Sequence, residues 1–514
     1  MVVRSPVSDV EIPDQPLSAF IFAEAGTRAD KPALIDGPSG RTITYGELAH
    51  GVRAIAAGLA ARGFAPGEVI GIFSPNLPEY ALAFHGIAAA GGAVTTANPL
   101  LTADELGRQL STAKARYLLT VPPFAETATA AAEQAGVEQV FVFGEATGLP
   151  SFRELLGNPD DAPELDINTS EHLVALPYSS GTTGLPKGVM LTHRNLVANV
   201  LQADALLDSR HDDVVIGVLP FFHIYGMTVI MNMALRFGST IVTMPRFDLE
   251  QFLQIHQEHG VTRSYVAPPL VLALAKHPLV DRYDLSALDL VMSGAAPLSA
   301  ELQEAAAQRL NCVVLQGYGL TETSPVTHVN PRERNKPGSI GVLAPNTEAQ
   351  IVDLDSGEPV ASGESGELCV RGPQVMKGYL DNPGATADMI DPDGWLHTGD
   401  IATVDDEGYF TVVDRLKELI KYKGYQVAPA ELEALLLEHP QISDVAVIGR
   451  TDEEAGEIPV AYVVAKGLEV DAVLQFVAER VAPYKRVRAV EFTDEIPKSA
   501  SGKILRRVLI DAER

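Results

Sequence analysis

Tyr178-Ser-Ser-Gly-Thr-Thr-Gly-Leu-Pro-Lys-Gly188 is the stretch from which this chain is read. Its glycines let the backbone approach oxygen atoms closely, and Ser179, Ser180, Thr182 and Thr183 can donate hydrogen bonds. Lys187 adds a positive charge. Together these groups suit a polyphosphate. The stretch is not a Walker A loop, because Pro186 precedes Lys187 and Gly188 follows it, which breaks the Gly-x4-Gly-Lys-Ser/Thr spacing. Upstream, Leu173–Leu176 reads as a short buried strand. Downstream, 195–204 reads as a helix. A phosphate loop between strand and helix predicts an α/β protein.

At 514 residues the chain exceeds one ordinary core, so at least two domains are expected. Its net charge of −28 argues against nucleic acid or an anionic membrane surface as the main partner. An anionic small substrate would then rely on local positive sites. Cys312 and Cys369 stand far apart and form no CxxC pair. This argues against a disulfide framework or zinc site and fits a reducing compartment. The N-terminal residues lack an apolar signal core, and the last residues are not Ser-Lys-Leu, so a cytoplasmic protein is predicted. Residues 214–235 are apolar, but Gly217, Pro220, His223, Gly226 and Asn232 interrupt them. They read as a strand, a loop and a helix rather than a membrane span.

Along residues 1–170, helical and strand patterns alternate. Residues 44–62 form an amphipathic helix pattern with a Thr44-x-x-Glu47 capping box. Residues 69–73 and 93–96 read as buried strands around a helix at 79–90. Such alternation predicts βαβ units and a mostly parallel sheet. Strands are predicted again at 214–219, 240–244, 262–266, 288–292 and 312–315. From about 341 to 414 the chain is denser in Gly, Pro and short strands, which predicts a small β-rich subdomain. From 415 to 514 the texture is compact α+β: helices at 428–439 and 471–481, strands at 445–449, 458–465 and 487–492. The predicted division is therefore 1–414 and 415–514. The tail 482–514 carries a local excess of basic residues in an otherwise acidic chain.

Five further motifs accompany the loop: Phe222-His-Ile-Tyr-Gly226, Gly317-Tyr-Gly-Leu-Thr-Glu322, Trp395-Leu-His-Thr-Gly-Asp400, the run Asp414–Gly424, and Pro497-Lys-Ser-Ala-Ser-Gly-Lys503. With these six in order, the chain resembles the adenylate-forming acyl-CoA synthetases over essentially its full length. Within them it is most similar to the 4-coumarate–CoA ligases, including the run Glu418-Leu-Ile-Lys-Tyr-Lys-Gly-Tyr-Gln-Val-Ala-Pro-Ala-Glu-Leu-Glu433. The resemblance implies a large N-terminal domain and a small mobile α+β C-terminal domain. It also implies two steps: a carboxylate attacks ATP to give acyl-AMP and pyrophosphate, and coenzyme A then takes the acyl group.

The resemblance assigns residues to these steps. The loop Ser179, Ser180, Gly181, Thr182, Thr183 and Lys187 would hold the β- and γ-phosphates. Glu322 would bind Mg²⁺, for which a carboxylate oxygen is suited. Thr321 would meet the α-phosphate, Tyr318 would stack on adenine, and Ala296, Gln316 and Gly317 would complete the nucleotide site. Asp400, an acceptor-only group, would take the ribose hydroxyls with Arg415 beside it. Lys503 would bridge the carboxylate and the α-phosphate. For the second step, a hinge at Lys417 would rotate the C-terminal domain, withdraw Lys503 and present Lys421 and Gln426 to the adenylate. Arg246, Lys423 and Gly424 would contact coenzyme A. His223 would gate and orient; a carboxylate substrate needs no general base.

The implied acid pocket uses 223–229, 291–297 and 316–329, with Tyr225, Met292, Ala295, Gly317, Pro325 and Val326 as walls. These segments contain no Lys or Arg, so a second carboxylate on the acid would be left unpaired. A monocarboxylic acid with an apolar body follows. The plant coumarate ligases carry Lys where Met292 stands and Gly where Ala295 stands. Losing the lysine weakens reading of a 4-hydroxyl, and the added methyl narrows the pocket against 3-methoxy groups. Cinnamate and 4-coumarate lead over ferulate and sinapate. Medium-chain fatty acids, or an acyl-AMP ligase or luciferase-like activity on the same scaffold, remain as alternatives.

Overall fold

Strand Val69–Phe73 is buried at every position. Such a run, apolar on both faces, belongs in the middle of a sheet covered by helices on each side. A computed structural model of the chain, describing residues 1–179, 186–416, 418–422, 425–452, 455–481, 483–499 and 502–513, places it there. Its sheet has eight strands, with a parallel centre ordered Leu173–Ala175, Ala93–Ala97, Val69–Phe73, Ala115–Thr120, Gln139–Val142. Strand Lys187–Thr192 adds to it antiparallel, and Gly378–Tyr379 pairs with that strand in turn.

A second, nine-stranded sheet is parallel from Pro32–Asp36 through Thr240–Thr243, Val214–Gly217, Arg263–Val266 and Leu290–Ser293 to Val313–Gly319. Val326–Val329 and Val342–Leu343 close one edge antiparallel, and Thr42–Thr44 the other. One core joins the two sheets. It gathers Ile70 and Val94 from the first and Leu34, Ile241 and Tyr265 from the second, with helices Tyr45–Ala61, Pro78–Ala89 and His193–Leu207. The outer faces are covered by Ala103–Ala113 and Ala125–Ala135 on one side and by Leu249–His259, Pro268–Lys276 and Ala300–Leu310 on the other.

The local rules hold where they were legible. Thr44 accepts from the Glu47 amide while the Glu47 carboxylate accepts from the Thr44 amide. The apolar stretch from Val214 is a strand, a turn, a π-helical segment Gly226–Asn232 and a short helix Met233–Phe237. No helix among the described residues is long and apolar enough to cross a membrane.

The β-rich span is not one sheet. A five-stranded antiparallel sheet holds Glu348–Val352, Gly366–Arg371, Leu396–Val404 and Phe410–Arg415, but its edge is Val2–Arg4 from the start of the chain. Val342–Leu343 and Gly378–Tyr379, from within the same span, belong to the two larger sheets. Arg415 pairs with Asp400 and so is the last residue of the five-stranded sheet. Beyond it, Ile442–Asp452 and Gly456–Ala465 form a long hairpin with Ile420–Tyr422, Tyr425–Val427 and Ala489–Phe492 beside it. Helices Pro429–Leu437 and Val470–Ala478 cover this sheet around a core of its own. The protein thus has a large N-terminal α/β domain and a small C-terminal domain.

Candidate active site

The carboxyl ends of parallel strands are where open α/β sheets place their ligands, because the connecting loops diverge there. Three predicted segments start from those ends in the nine-stranded sheet, and a fourth strand end joins them. After Val214–Gly217 comes the turn with His223. After Leu290–Ser293 come Gly294, Ala295 and Ala296, and Val313–Gly319 leads to Thr321 and Glu322. After Arg263–Val266 comes Ala267, and the C-terminal domain meets it: a Cβ on Gly502 would lie 3.1 Å from the Ala267 side chain.

Lys503, next to Gly502, stands close enough to Asp400, Arg415 and Glu418 to feel their charges. Burial, helped by Arg415, lowers its pKa to about 8. Burial also holds His223 down at about 4, with Lys503 adding to the effect. His223 is therefore a neutral imidazole near pH 7. Its Nδ1 accepts from the Tyr225 amide at 3.3 Å, which assigns the ring proton to Nε2. A neutral donor at this place suits an orienting role and not proton abstraction.

Asp400 is buried, with its two oxygens divided between neighbours. Oδ2 accepts from the Tyr318 hydroxyl at 2.5 Å, and Oδ1 faces Arg415 Nε at 3.0 Å. Each oxygen keeps a second lone pair for a further donor. The Tyr318 ring packs edge-on against His328, which packs in turn on Phe410. Glu322 is also buried, and its Oε1 accepts from the Tyr379 hydroxyl at 2.7 Å. Lys187 Nζ lies 4.8 Å from the centre of the Tyr379 ring. Ser179 and Lys187, at the two ends of the predicted phosphate loop, pair in an antiparallel ladder. Ser180, Gly181, Thr182 and Thr183 lie outside the described residues.

The acid-pocket residues also come together. The Tyr225 hydroxyl donates to the Met292 carbonyl at 3.0 Å. The Met292 methyl lies 2.3 Å from where an ideal Cβ on Gly317 would stand, so a side chain at 317 would push this flexible methionine aside. Gly294 is held the same way under the Tyr225 ring. Pro325 and Val326 are buried, and Asn199 bonds both backbone groups of Val326. Ala295 is exposed and has φ of 71°, a left-handed backbone that glycine adopts more easily.

Other predicted residues are placed differently. The Gln316 side chain is spent on the framework: Oε1 accepts from the Leu298 amide and Nε2 donates to the Ser339 carbonyl. It shapes the 294–298 loop and leaves no free amide atom pointing at a ligand. Lys421 is exposed on its hairpin, with its backbone amide bonded to Glu457. Arg246 is exposed in the turn after Thr240–Thr243. Lys417, Lys423 and Gly424 lie outside the described residues, as does the Gln426 side chain. Sequence reasoning passed over two residues that the fold brings in. Tyr379 had no signal beyond an aromatic following a glycine. Glu418 stood inside a quoted motif but its charge was given no use.

The fold and this arrangement define an enzyme that activates an acid at a nucleotide, and comparison with known proteins agrees. The model described as "AMP-binding enzyme" matches residues 21–380, and "AMP-binding enzyme C-terminal domain" matches 431–503. A relative named 4-coumarate–CoA ligase 3, from Oryza sativa subsp. japonica, is 46% identical over 99% of this chain and 94% of its own. Among solved structures, ATP-bound MatB from Rhodopseudomonas palustris superposes with a TM-score of 0.87 at 28% identity, covering 97% and 98% of the two chains. The anthranilate CoA ligase AuaEII in complex with anthranoyl-AMP gives 0.90 at 27% identity, covering 98% of each. The chain belongs to the AMP-binding enzyme family, as an AMP-forming acid–CoA ligase that uses ATP.

Proposed function

We propose that this ligase acts on a cinnamic-type monocarboxylic acid, with 4-coumarate and cinnamate ahead of their 3-methoxylated relatives. Its full-length similarity to proteins named 4-coumarate–CoA ligase supports this reading. So does the apolar character of Tyr225, Met292 and Gly317, which lie against one another. The observation that carries the chemistry is the meeting of Lys503 with His223, Arg415 and Asp400 at the strand ends.

In the first step, a carboxylate oxygen of the acid attacks the α-phosphorus of ATP and pyrophosphate leaves. Two anions must approach, so charge must be neutralised at fixed positions. Lys503, an ammonium below pH about 8, would span the carboxylate and the α-phosphate. Thr321 would donate to the same phosphate, His223 Nε2–H would orient the acid, and Lys187 with the 179–183 loop would hold the outer phosphates. Asp400 would take the ribose hydroxyls on its remaining lone pairs, with Tyr318 and Arg415 fixing its plane. Glu322 suits a magnesium ion: it is a buried carboxylate with Oε2 free of the Tyr379 bond, and Mg²⁺ prefers one or two such oxygens plus phosphate. The ion would supply charge neutralisation on the phosphates.

In the second step, the sulfur of coenzyme A attacks the acyl carbon, AMP leaves, and the thiol proton is released. This step would use Lys421 and Gln426 at the adenylate and Arg246, Lys423 and Gly424 at coenzyme A, after rotation about Lys417. In this structure Lys503 stands at the site and Lys421 is exposed. We read that as the arrangement for the first step. The two cysteines, Cys312 and the buried Cys369, are free thiols, consistent with a cytoplasmic location. The test is a coupled assay of AMP and thioester formation across cinnamate, 4-coumarate, ferulate and hexanoate. A preference for hexanoate or ferulate over cinnamate would overturn the acid assignment and leave the ligase chemistry standing.

A further inference from the structure

Tyr379 is far in sequence from both the 178–188 loop and the 317–322 motif, yet it touches parts of each. It enters the site because Gly378–Tyr379 pairs antiparallel with the strand that begins at Lys187; Val189 faces Tyr379 across the ladder. Thr386 Oγ1 accepts from its backbone amide at 2.9 Å and so fixes where the ring leaves the chain. The ring is buried, with Lys187 Nζ over its face at 4.8 Å. Its hydroxyl donates to Glu322 Oε1 at 2.7 Å, and Ser179 lies beside the same hydroxyl.

We infer that Tyr379 is a positioning residue that sets the Glu322 carboxylate for the metal and Lys187 for the phosphates, locking the two together. This rests on the reading of Glu322 and Lys187 given above. A carboxylate with one oxygen held by a phenol presents the other in a fixed direction. That suits an ion demanding near-octahedral geometry. Loss of a donor that holds a metal-binding carboxylate from behind typically costs about 10- to 100-fold in metal affinity. The ring face holds the ammonium by its quadrupole without taking any of its three N–H donors, so all remain for phosphate oxygens.

Two variants separate these contacts. Tyr379→Phe removes only the hydroxyl and keeps the ring beneath Lys187. It should raise the Mg²⁺ concentration for half-maximal adenylation about tenfold, the usual order for one hydrogen bond to a charged group. Its Michaelis constant for ATP at saturating Mg²⁺ should stay within about twofold. Tyr379→Leu removes ring and hydroxyl, so that constant should rise as well, by about threefold. A readout without turnover is Mn²⁺ titration of the enzyme with ATP and no acid, followed by electron paramagnetic resonance. Tyr379→Phe should weaken Mn²⁺ binding in parallel with its Mg²⁺ dependence. Glu322→Gln is the reference. If Glu322→Gln leaves both metal readouts unchanged, the assignment of Glu322 to the metal falls. If Glu322→Gln weakens the metal and Tyr379→Phe does not, the assignment stands and the positioning role of Tyr379 is overturned. A uniform fall in turnover for Tyr379→Phe, with unchanged metal dependence and an unchanged melting temperature, also overturns it.

Discussion

Lys503 and Lys421 are the same residue type on the same small domain, yet their surroundings differ sharply. Lys503 closes a tight turn. Its amide donates to Ser499 Oγ, its carbonyl accepts from the Ser499 amide, and the turn seats Gly502 against Ala267 of the large domain. Lys421 lies on a hairpin strand with its side chain in solvent. The first is desolvated among Arg415, Glu418 and Asp400, which lowers its pKa; the second is exposed. One lysine is thus already built into a site while the other waits outside it. On the proposed two-step reading, the position of the small domain, and not residue chemistry, would select which lysine acts.

Charged groups cluster near the predicted hinge. Arg506, from the last helix, reaches Glu433 at 2.9 Å and Glu418 at 3.4 Å. The Asp414 carboxylate accepts from the Arg415 amide at 2.6 Å and from the Ala430 amide at 3.2 Å. Asp414 and Glu433 are buried, which raises them to about 6 and about 7. Asp414, Arg415 and Glu418 are sequence neighbours of Lys417, which itself lies outside the described residues.

The strongest way to break the comparison is Lys503→Ala. Adenylation should fall by ~3–4 kcal/mol of transition-state stabilisation, roughly 10²- to 10³-fold. Thioester formation from supplied acyl-AMP should survive. Measuring both half-reactions decides the matter, and equal loss in both would mean that one placement of the small domain serves both steps.

Next comes pH. Lys503 titrates low in the free enzyme, at about 8, and its charged form is the one proposed to act. The kcat/KM of adenylation should therefore be flat below pH 8 and fall about tenfold per pH unit above it. Bound phosphates favour the ammonium, so the break in kcat should lie higher. Lys503→Arg should remove the break, since guanidinium keeps its proton throughout. A wild-type profile flat to pH 9.5 would contradict the placement of Lys503.

The other half of the comparison is tested by Lys423→Glu, a change two residues after Lys421 in sequence. Adenylation should persist while the Michaelis constant for coenzyme A rises about tenfold, the order of reversing one exposed phosphate contact. An unchanged constant would leave this hairpin facing solvent in both steps.

The smallest effect is expected at Ala295→Gly. Removing one methyl at the exposed rim of the pocket should improve ferulate relative to cinnamate by about 1 kcal/mol, roughly fivefold in the ratio of kcat/KM. The φ of 71° adds a second consequence: glycine there relieves left-handed strain, worth about 1 kcal/mol of stability. A higher melting temperature without a shift in the acid ratio would mean that Ala295 shapes the loop but does not meet the ring.

Much of the large domain was legible because its signals are local. The all-apolar run Val69–Phe73 and the Thr44/Glu47 capping box need only near neighbours to be read. Helix Ala103–Ala113 has an equally clear box at Thr102 and Glu105, and the sequence reading simply passed it by. The span 341–414 was legible as β-rich, but not its partition among three sheets. Register depends on partners far along the chain, as when Val2–Arg4 pairs with Glu348–Gln350.

The site divides along the same line. Residue types and motif order, by themselves, determined that the chain activates an acid at a nucleotide and nominated Lys503, Asp400 and Glu322. Only the tertiary structure decided that Asp400 is shared by Tyr318 and Arg415, that the Gln316 amide is used up by backbone, and that Tyr379 joins Lys187 to Glu322. The physical reason is that a motif fixes which donors and charges are available over a few residues. Which of them remain free, and how strongly burial shifts their protons, is set by atoms from remote segments that packing brings within a few ångströms.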